Sequence, residues 1–587
     1  MKAEALPLLK FLKSSPQLTI PIYQRTYSWT IEHCEQLWND ILRVGANNRV
    51  TAHFIGSIVY VEKDLQTVGN PSALLVIDGQ QRITTATILL ESLARAFGDE
   101  EPEDGFSARK IRNYYLLDPE ESGERRYKLI LTQTDKTTLL ALTAQQPVPD
   151  AHSVRVMENF NHFTYRISNL AKDKLRTLCR GLAKLMIVEV ALQRGQDNPQ
   201  LIFESMNSTG LALSQADLIR NFVLMGQEHD EQTRLYQSYW RPMEERFGQE
   251  AYKWAFDGFM RHYLTLKTRR IPKIDAVYRE FKAYLAEQES GVEPVLADIY
   301  AHAGYYAAMA LEQERDINLA AAFADLRELT VDVAYPLLLE LYHDYATGQL
   351  PKAGFLASVR FIEGYVLRRA VCGVPTNTLN TTFAAFAIPL DKANYVESIE
   401  ARFVNHTNRR RFPDDVEFGR SLKTNHLYKT RALKFMLRRM ENQGRKEPVS
   451  VAEYTIEHIL PQNKDLKPEW IADLGPNWQI VQETWLHTLG NLTLTGYNSE
   501  YKDRPFLTKR DIEGGFAQSP LRLNQGLGQL TAWNEDTIKD RAERLAAQAI
   551  TIWPLPKPSA SMLAALGAPS SLPDTTDDED DDESTLA

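Results

Sequence analysis

Four polar residues toward the end of the chain have the side-chain types that phosphodiester hydrolysis requires. Glu457 and His458 are adjacent in EYTIEHILPQN, and LHTLGNLTLTGYNSE contains Asn491 and Asn498. A histidine has a pKa suited to taking a proton from water near neutral pH, and carboxylate and amide oxygens are ligands that Mg²⁺ or Mn²⁺ accepts. We therefore expect His458 to be a general base and Glu457 and Asn498 to bind the metal ion. Asn491 is expected to hold the His458 imidazole, or the loop that carries it, through its amide.

The chain is expected to place these residues on two short strands and a helix. EYTIEHIL predicts a strand over Tyr454–Leu460, and LGNLTLT predicts a second strand around Leu489–Thr495. Asn498 would begin a helix, and His487 is a secondary candidate for the site. Taken singly, such a histidine is more often structural, and such asparagines are more often turn or capping residues. Their joint occurrence in this order describes the ββα-metal, or HNH, nuclease site.

A second group of residues, near the front, could bind an anion. ALLVID (Ala73–Asp78) predicts a strand that runs through Gly79-Gln80-Gln81-Arg82 into a helix. Unpaired backbone N–H groups at such a helix start attract phosphate, Arg82 would add a phosphate donor, and Asp78 could hold Mg²⁺. A structural turn explains these five residues equally well. The chain contains no GxxxxGK[ST] pattern, which excludes a P-loop NTPase.

Two further segments contain residues suited to the same site. IPIYQRTYSW places Gln24 and Arg25 beside aromatic side chains, a mixture typical of stacking on a base. LIFESMNSTGLALSQADLIRN contains Glu204, Asn207 and Asp217. Plain capping of a helix that follows Ser214 explains Asp217 equally well. The segments therefore favour a nucleotide site.

The formal net charge of −10 does not describe the whole chain. Eight carboxylates lie between Asp574 and Glu583, and removing those eight leaves −2. Residues 402–446 contain 13 Lys and Arg against four acidic residues, which indicates either a solvated helix face or a surface for DNA phosphates. The residues predicted to contact DNA are Arg409, Arg410, Arg411, Arg438 and Arg439, with Lys509 or Arg510 neutralising phosphate near the strands.

The pattern along the chain predicts an α+β protein of four parts. Residues 1–225 mix strands and helices, 226–448 form a helical middle domain that contains the basic segment, 449–553 form the nuclease domain, and 554–587 form a disordered acidic tail. Three isolated cysteines exclude a disulfide-stapled secreted protein. No apolar run reaches the roughly 20 residues of a membrane span, and the N-terminus lacks a signal-peptide pattern. We therefore expect a cytoplasmic protein with no membrane partner.

The chain resembles a known family at both ends. The blocks IPIYQRTYSW, LLVIDGQQRITT and FESMNSTGLALSQADLIRN resemble the DGQQR-motif domain of GmrSD-type restriction enzymes, and EHILPQ…LGNLTL…N…PF..K resembles the nuclease domain of the same proteins. The resemblance implies a ParB- and sulfiredoxin-like first domain that binds and hydrolyses a nucleoside triphosphate, with Asp78, Gln80, Gln81 and Arg82 at the phosphates. It also implies a type IV endonuclease that uses Mg²⁺ or Mn²⁺ to cut modified double-stranded phage DNA, notably DNA with glucosylated hydroxymethylcytosine. One such enzyme accompanies a BREX phage-defence system.

Two other functions remain open on the sequence. An effector that nicks DNA in a phosphorothioation-based defence would have the same domains, but it would respond to sulfur in the DNA backbone and not to a modified base. A non-cleaving DNA-binding regulator would be expected to lack His458 or Asn498, and both are present. One HNH site cuts one strand, so a double-strand break would be easiest for a homodimer.

Overall fold

The computed structural model describes residues 2–62, 73–98, 100–193, 197, 200–202, 204, 213–384 and 390–566. The chain divides into two compact units, Met1–Pro242 and Met243–Ala587. Both strands and helices are present, which confirms the predicted α+β class. The predicted helical middle and nuclease parts lie in the same unit.

The front unit contains a six-stranded mixed sheet. Its strand order is β1-β6-β3-β4-β2-β5, and β4 pairs antiparallel with β3 and parallel with β2. The predicted strands in FIGSIVYVEK, ALLVID and KLMIVEVAL are confirmed as β3, β4 and β6. The strands are β1 (Lys2–Pro7), β2 (Leu18–Thr19), β3 (His53–Glu62), β4 (Leu74–Asp78), β5 (Leu129–Ile130) and β6 (Leu185–Leu192).

Helices cover both faces of this sheet. Side chains of β4 alternate, so that Val76 packs into the larger hydrophobic cluster, and Ile77 packs on the opposite side with Leu218. Gln80–Phe97, which directly follows β4, is buried along most of its length because it lies within the larger cluster. The helices are α1 (Leu8–Ser14), α2 (Ile31–Ala46), α3 (Gln80–Phe97), α4 (Ala108–Ile111), α5 (Gln133–Thr143), α6 (Val154–Ser168), α7 (Lys172–Ala183), α8 (Gln215–Met225) and α9 (His229–Leu235).

The second unit begins with a helical region, as predicted. Its first helix changes direction at Gly248, which has a φ of 72°. The helices are α10 (Arg241–Thr268), α11 (Val277–Ala286), α12 (Val292–Ala310), α13 (Ile317–Glu328), α14 (Tyr335–Ala346), α15 (Lys352–Val371), α16 (Leu379–Ala384), α17 (Tyr395–Val404), α18 (Asp415–Thr424) and α19 (Ala432–Asn442).

The last part of this unit contains a two-stranded antiparallel sheet, hereafter the hairpin, whose strands are joined by a segment with two short helices. Leu492 and Leu494 of the hairpin share one hydrophobic cluster with Leu367 of α15 and Phe435 of α19. The helical and nuclease parts therefore have a common core. The elements are β7 (Thr455–His458), α20 (Pro468–Leu474), α21 (Trp478–Trp485), β8 (Leu492–Thr495), α22 (Asn498–Tyr501), α23 (Phe506–Asp511), α24 (Glu535–Ile552) and α25 (Ala560–Leu566).

The start of the predicted disordered tail is ordered, so the prediction of disorder from residue 554 is wrong for this part. Residues 560–566 form α25 because Ala, Met and Leu favour a helix, and the Ser559 N–H donates to Glu397 at 2.7 Å. The acidic residues 574–583 lie outside the described residues. Within the described part of the chain, no helix combines the length and the apolar character of a membrane span.

Candidate active site and nucleotide site

The hairpin brings the predicted nuclease residues to one pocket. His458 pairs with Leu492 and Glu457 with Thr493 across the two strands. A cavity of about 300 Å³, hereafter the hairpin pocket, opens beside β7. It is lined by Tyr428, Ile456, Glu457, His458, Pro461, Gln462, Asn463, Asn498, Lys502 and Asp503. His458, Glu457 and Asn498, which the sequence predicts to share a site, all line this pocket.

His458 is buried and in its neutral form at neutral pH. Burial, together with the nearby His487, Lys509 and His426, lowers the pKa of His458 to about 3. Its Nε2 lies 3.0 Å from Nδ1 of His487, and its ring is 4.4 Å from that of Tyr428, edge to face. The imidazole is therefore uncharged and has a lone pair for a proton, but its pKa lies well below the near-neutral value at which a general base is most effective.

Asn491 holds the loop that follows β7, and not the imidazole. It is fully buried in a short 3₁₀ turn just before β8, whereas we expected it within the strand. Its Oδ1 accepts from the Leu460 N–H at 2.7 Å and from the Trp533 indole at 3.1 Å. Its Nδ2 donates to the Leu460 and Leu486 carbonyls at 3.1 and 2.9 Å. All of its hydrogen-bonding capacity is therefore used to fix the chain next to His458.

Glu457 and Lys509 form a buried ion pair. Lys509 Nζ donates to Glu457 Oε1 at 2.6 Å and to the carbonyls of His458 and Ile459 at 3.0 Å. Burial raises the pKa of Glu457, and Lys509 opposes this rise. The side chain of Lys509 has no exposed surface. The predicted phosphate contact of Lys509 is therefore contradicted, because every donor of its ammonium points into the protein.

Asn498 does not cap the helix that it begins. Tyr497 precedes the first turn of α22, and Asn498 instead donates from Nδ2 to Ile456 O at 3.1 Å and to Thr455 Oγ1 at 3.2 Å. These bonds attach α22 to β7 and leave the amide oxygen as the atom that could bind a cation. Within the described residues, no cluster of three or more His, Cys, Asp or Glu side chains is arranged to hold a metal ion.

Most of the arginines predicted to contact DNA have partners inside the protein. Arg438 pairs with Asp325 at 2.6 Å, and Arg439 pairs with Glu363 at 3.1 Å. Arg411 pairs with Glu417 at 2.6 Å, and Arg410 is buried. The prediction fails for these four because acidic residues from other positions neutralise them or burial hides them. Arg409 is exposed.

In the front unit, β4 leads through Gly79 into α3 as predicted. Gly79 has a φ of 95°, and a Cβ atom there would lie 2.9 Å from the Ser57 carbonyl, so this turn requires glycine. Gly56 in β3 leaves room for the Arg82 side chain. It has a φ of 118°, and an added Cβ atom would lie 2.6 Å from Nε of Arg82. Arg82 thus lies against β3, with Nη1 3.9 Å from Asp78 Oδ2.

The three glutamines predicted to line the nucleotide site hold backbone instead. Gln80 donates to the Arg25 carbonyl, and Gln81 accepts from the Ser28 and Trp29 N–H groups at 2.9 and 3.2 Å. Gln24 donates to the Ile77 carbonyl at 2.9 Å. All three are buried. Their side chains therefore join the YQRTYSW segment to the DGQQR turn, which accounts for them without a ligand.

Charged residues from the three predicted segments lie together in the front unit. Asp217 and Arg220 pair at 2.7 Å, and Arg220 Nε donates to the Tyr23 carbonyl at 2.8 Å. Burial lowers the pKa of Arg25, and the charges of Asp217, Arg220 and Asp78 act on it. We call Arg25, Asp78, Asp217 and Arg220 the front charge cluster. The Ser214 hydroxyl also accepts from the Asp217 N–H at 3.1 Å, which confirms the cap.

The other predicted nucleotide residues lie at or beyond the edge of the described chain. Glu204 accepts from Gln200 Nε2 at 2.9 Å. Asn207 lies outside the described residues.

A cavity of about 380 Å³, hereafter the front cavity, lies beside Arg82. Its lining includes Trp29, His33, Gln36, Asp40, Phe54, Ile55, Gly56 and Arg82.

Sequence reasoning missed several residues of both sites. Arg220 follows Asp217 by three positions on α8, a spacing at which opposite charges pair. His426 and Tyr428 pack around the histidine pair, with the His426 and His487 rings 4.0 Å apart. No local pattern connects HLY at 426–428 to a hairpin about 30 residues away, so this contact required the folded structure.

Comparison with protein families places both sites in known domains. Residues 8–224 match the model of the GmrSD restriction endonuclease N-terminal domain, and residues 412–548 match that of the C-terminal domain of GmrSD restriction endonucleases. The first segment contains the front charge cluster, and the second contains the hairpin pocket. No curated protein matches the chain.

Proposed function

Because this chain belongs to the family of GmrSD restriction endonucleases, we propose that it is a type IV enzyme that cleaves modified double-stranded DNA. The proposed substrate class is DNA with glucosylated hydroxymethylcytosine. One observation carries the proposal: the buried side chain of His458 lines the same pocket as the oxygen ligands Glu457 and Asn498. This combination provides a proton acceptor and cation ligands at one place.

The chemistry requires a divalent metal ion, and the residues of the pocket fit one. Glu457 offers Oε2 of its carboxylate, since Oε1 is paired with Lys509, and Asn498 offers its amide oxygen because Nδ2 is already bonded to β7. Mg²⁺ is commonly held by one or two protein ligands together with water and phosphate oxygens, so a small ligand set is sufficient. When bound, such an ion would stabilise charge on the scissile phosphate and the leaving oxygen. His458 would take the proton from the attacking water, while Asn491 keeps the His458 loop in place.

The DNA backbone is proposed to contact a different set of cations from the one predicted. Lys502 lines the hairpin pocket, and Lys429 and Arg431 follow Tyr428, which also lines it. All three are exposed, and none has an acidic partner within ion-pair distance in the described part of the chain. Unpaired exposed cations attract phosphates, whereas paired arginines such as Arg438 are already neutralised.

The front unit is proposed to bind and hydrolyse a nucleoside triphosphate. Arg25 and Asp78 lie in the front charge cluster beside the Asp217–Arg220 pair, and a cation near a carboxylate suits the binding of a phosphate together with Mg²⁺. The front cavity has Arg82 on its wall, together with the Trp29 and Phe54 rings, on which a base could stack. Its volume of about 380 Å³ lies in the range of small-molecule sites.

Digestion of three DNA substrates by the full chain tests the proposal. The DNAs are unmodified, glucosylated at hydroxymethylcytosine, and phosphorothioate-modified, each with Mg²⁺ or Mn²⁺ and with or without ATP or GTP. We expect cleavage of the glucosylated DNA alone, and its loss in His458→Ala. Cutting of only the sulfur-modified DNA would show that the enzyme recognises sulfur in the DNA backbone and not glucosylated hydroxymethylcytosine. Binding without any cutting would instead indicate a DNA-binding regulator.

Cleavage of both strands in one binding event would be easiest with two hairpin pockets. A homodimer is therefore proposed, because each chain has one such pocket among its described residues and a symmetric pair would place a second on the other strand. Sedimentation of the protein with and without glucosylated DNA measures this. A monomer that makes double-strand breaks would contradict the proposed dimer.

A further inference from the structure

The nuclease site contains a residue whose position suggests that it acts through His458. We propose that His487 is a positioning residue, which holds His458 in the tautomer that can accept a proton from water. The inference rests on the proposed nuclease function and adds a residue to the same site. Its basis is the contact of 3.0 Å between His458 Nε2 and His487 Nδ1.

Only one arrangement of protons in this contact leaves His458 active. In a hydrogen bond between two neutral imidazoles, one ring donates and the other accepts. If His487 donated, the lone pair of His458 Nε2 would be occupied and its proton would sit on Nδ1, so the ring could accept nothing. If His458 Nε2–H donates to His487 Nδ1, then His458 Nδ1 has a free lone pair for water.

The same bond persists when His458 becomes charged. Once Nδ1 has taken a proton, the imidazolium still donates from Nε2 to His487 Nδ1, and a charged donor strengthens the bond. Lys509 approaches His458 only through its backbone carbonyl. Among the hydrogen bonds of the described residues, the contact with His487 is the one made by the His458 ring. Orientation of the ring by hydrogen bonding therefore depends on His487.

His487 is itself fixed on several sides. The His426 ring stacks on it at 4.0 Å, with an angle of 30° between the planes. The Tyr428 ring lies at 5.7 Å from His487 and at 4.4 Å from His458. The Leu427 N–H donates to the His487 carbonyl at 2.9 Å. The segment His426–Tyr428 thus clamps the histidine pair, and a clamped partner orients a base more precisely than a mobile one.

The test compares two replacements of His487 that differ in one property. His487→Asn places an amide oxygen near the position of Nδ1 and can still accept from His458, whereas His487→Leu fills similar space and cannot accept. His152→Leu makes the same change at an exposed histidine of the front unit and serves as the control. His458→Ala and the double variant His458→Ala/His487→Leu complete the set.

The measured quantities are the single-turnover rate constant at saturating glucosylated DNA with Mn²⁺, the DNA dissociation constant without metal, and the melting temperature. We expect His487→Leu to lower the rate constant by about 10²-fold and His487→Asn to restore it to within about tenfold of wild type. The dissociation constant should stay unchanged. Since His487 acts through His458, the double variant should be no slower than His458→Ala.

Other results would overturn the inference in distinguishable ways. A wild-type rate for His487→Leu, with His458→Ala inactive, would reject the role of His487 and keep the proposed nuclease. A weakened DNA affinity with an unchanged rate constant would make His487 a DNA contact. A fall in melting temperature that accounts for the slow rate in both His487 variants would make it purely structural. Inactive wild-type protein, or an active His458→Ala, would reject the nuclease function and the inference together.

Discussion

Nζ of Lys509 lies 2.6 Å from Oε1 of Glu457, and neither side chain is more than 5% exposed. Burial lowers the pKa of Lys509 and raises that of Glu457, while the attraction between the charges opposes both shifts. The ammonium group also donates to two carbonyls, that of His458 at the end of β7 and that of Ile459 directly after it. The pair therefore fastens α23 to the strand that carries His458.

Removing the lysine should destabilise the second unit strongly. Lys509→Met leaves Glu457 buried without its charge partner, and breaking a buried pair in this way costs about 3–5 kcal/mol. Urea unfolding followed by tryptophan fluorescence measures the change in the free energy of unfolding. Lys464→Met, at an exposed position, is the control and should change it by less than about 0.5 kcal/mol. A similar small effect for Lys509→Met would show that the pair contributes little.

The loop after β7 should depend on the amide of Asn491. Asn491→Ala leaves the Leu460 N–H and the Trp533 indole without their acceptor, and we expect a loss of about 2–4 kcal/mol in the free energy of unfolding. Asn491→Asp retains the acceptor but places a buried carboxyl group against the Leu460 and Leu486 carbonyls, so it should lose at least as much. Cleavage should fall in both variants, since a displaced loop moves His458. Full activity in Asn491→Ala would contradict the positioning of the loop by this residue.

Exposed and paired cations should differ in their effect on DNA binding. Lys502→Gln and Lys429→Gln each remove one proposed phosphate contact, and each should reduce the slope of log affinity against log salt by about 1. Arg438→Gln should leave this slope unchanged, because its guanidinium already pairs with Asp325 and Glu328. Fluorescence anisotropy over a series of salt concentrations measures the slopes. Equal slopes for wild type and Lys502→Gln would remove Lys502 from the DNA surface.

The front charge cluster should be required for nucleotide binding. Arg25→Ala removes a cation that is held near Asp78, Asp217 and Arg220, and we expect at least tenfold weaker binding of a fluorescent nucleoside triphosphate. Arg180→Ala is the matched control, since Arg180 is an exposed arginine of the same unit that pairs with Glu103. DNA binding without nucleotide should be the same in both variants. Unchanged nucleotide affinity in Arg25→Ala would move the site away from the cluster.

Stability of the second unit should fall in mild acid, partly through His302. Burial lowers the pKa of His302 to about 4, below the ordinary value of about 6.5. The unfolded chain therefore binds a proton that the folded one does not, so that the stabilisation is complete above about pH 6.5 and is lost as the pH falls toward 4. Between these values His302 contributes a slope of up to about 1.4 kcal/mol per pH unit.

His302→Asn isolates this contribution. Asparagine keeps a donor for the Asp298 carbonyl, which accepts from His302 Nδ1 at 2.8 Å, and it does not titrate. Urea unfolding at pH 4.5 to 6.0 should show a smaller loss of stability per pH unit in the variant than in wild type. His152→Asn, at an exposed histidine, should leave the slope unchanged. Identical slopes in His302→Asn and wild type would mean that His302 titrates normally.

The sequence by itself determined the elements of both sites and their order. Strand β4, the glycine turn and α3 follow from an apolar run, one Gly and a helical repeat, all of which are local. The positions of His458, Glu457 and Asn498 on a hairpin and the following helix also follow from short patterns. Such signals are readable because the residues that produce them are neighbours in the chain.

Only the tertiary structure decided which charges are free. Arg438 looked available because its partners, Asp325 and Glu328, are more than 100 residues away in the chain, and Lys509 looked exposed because Glu457 lies on another element. The pairing of His458 with His487, and the approach of His426 to both, likewise depend on packing between distant segments. Whether a charged side chain is buried or paired depends on the folded structure, and residue types along the chain do not reveal it.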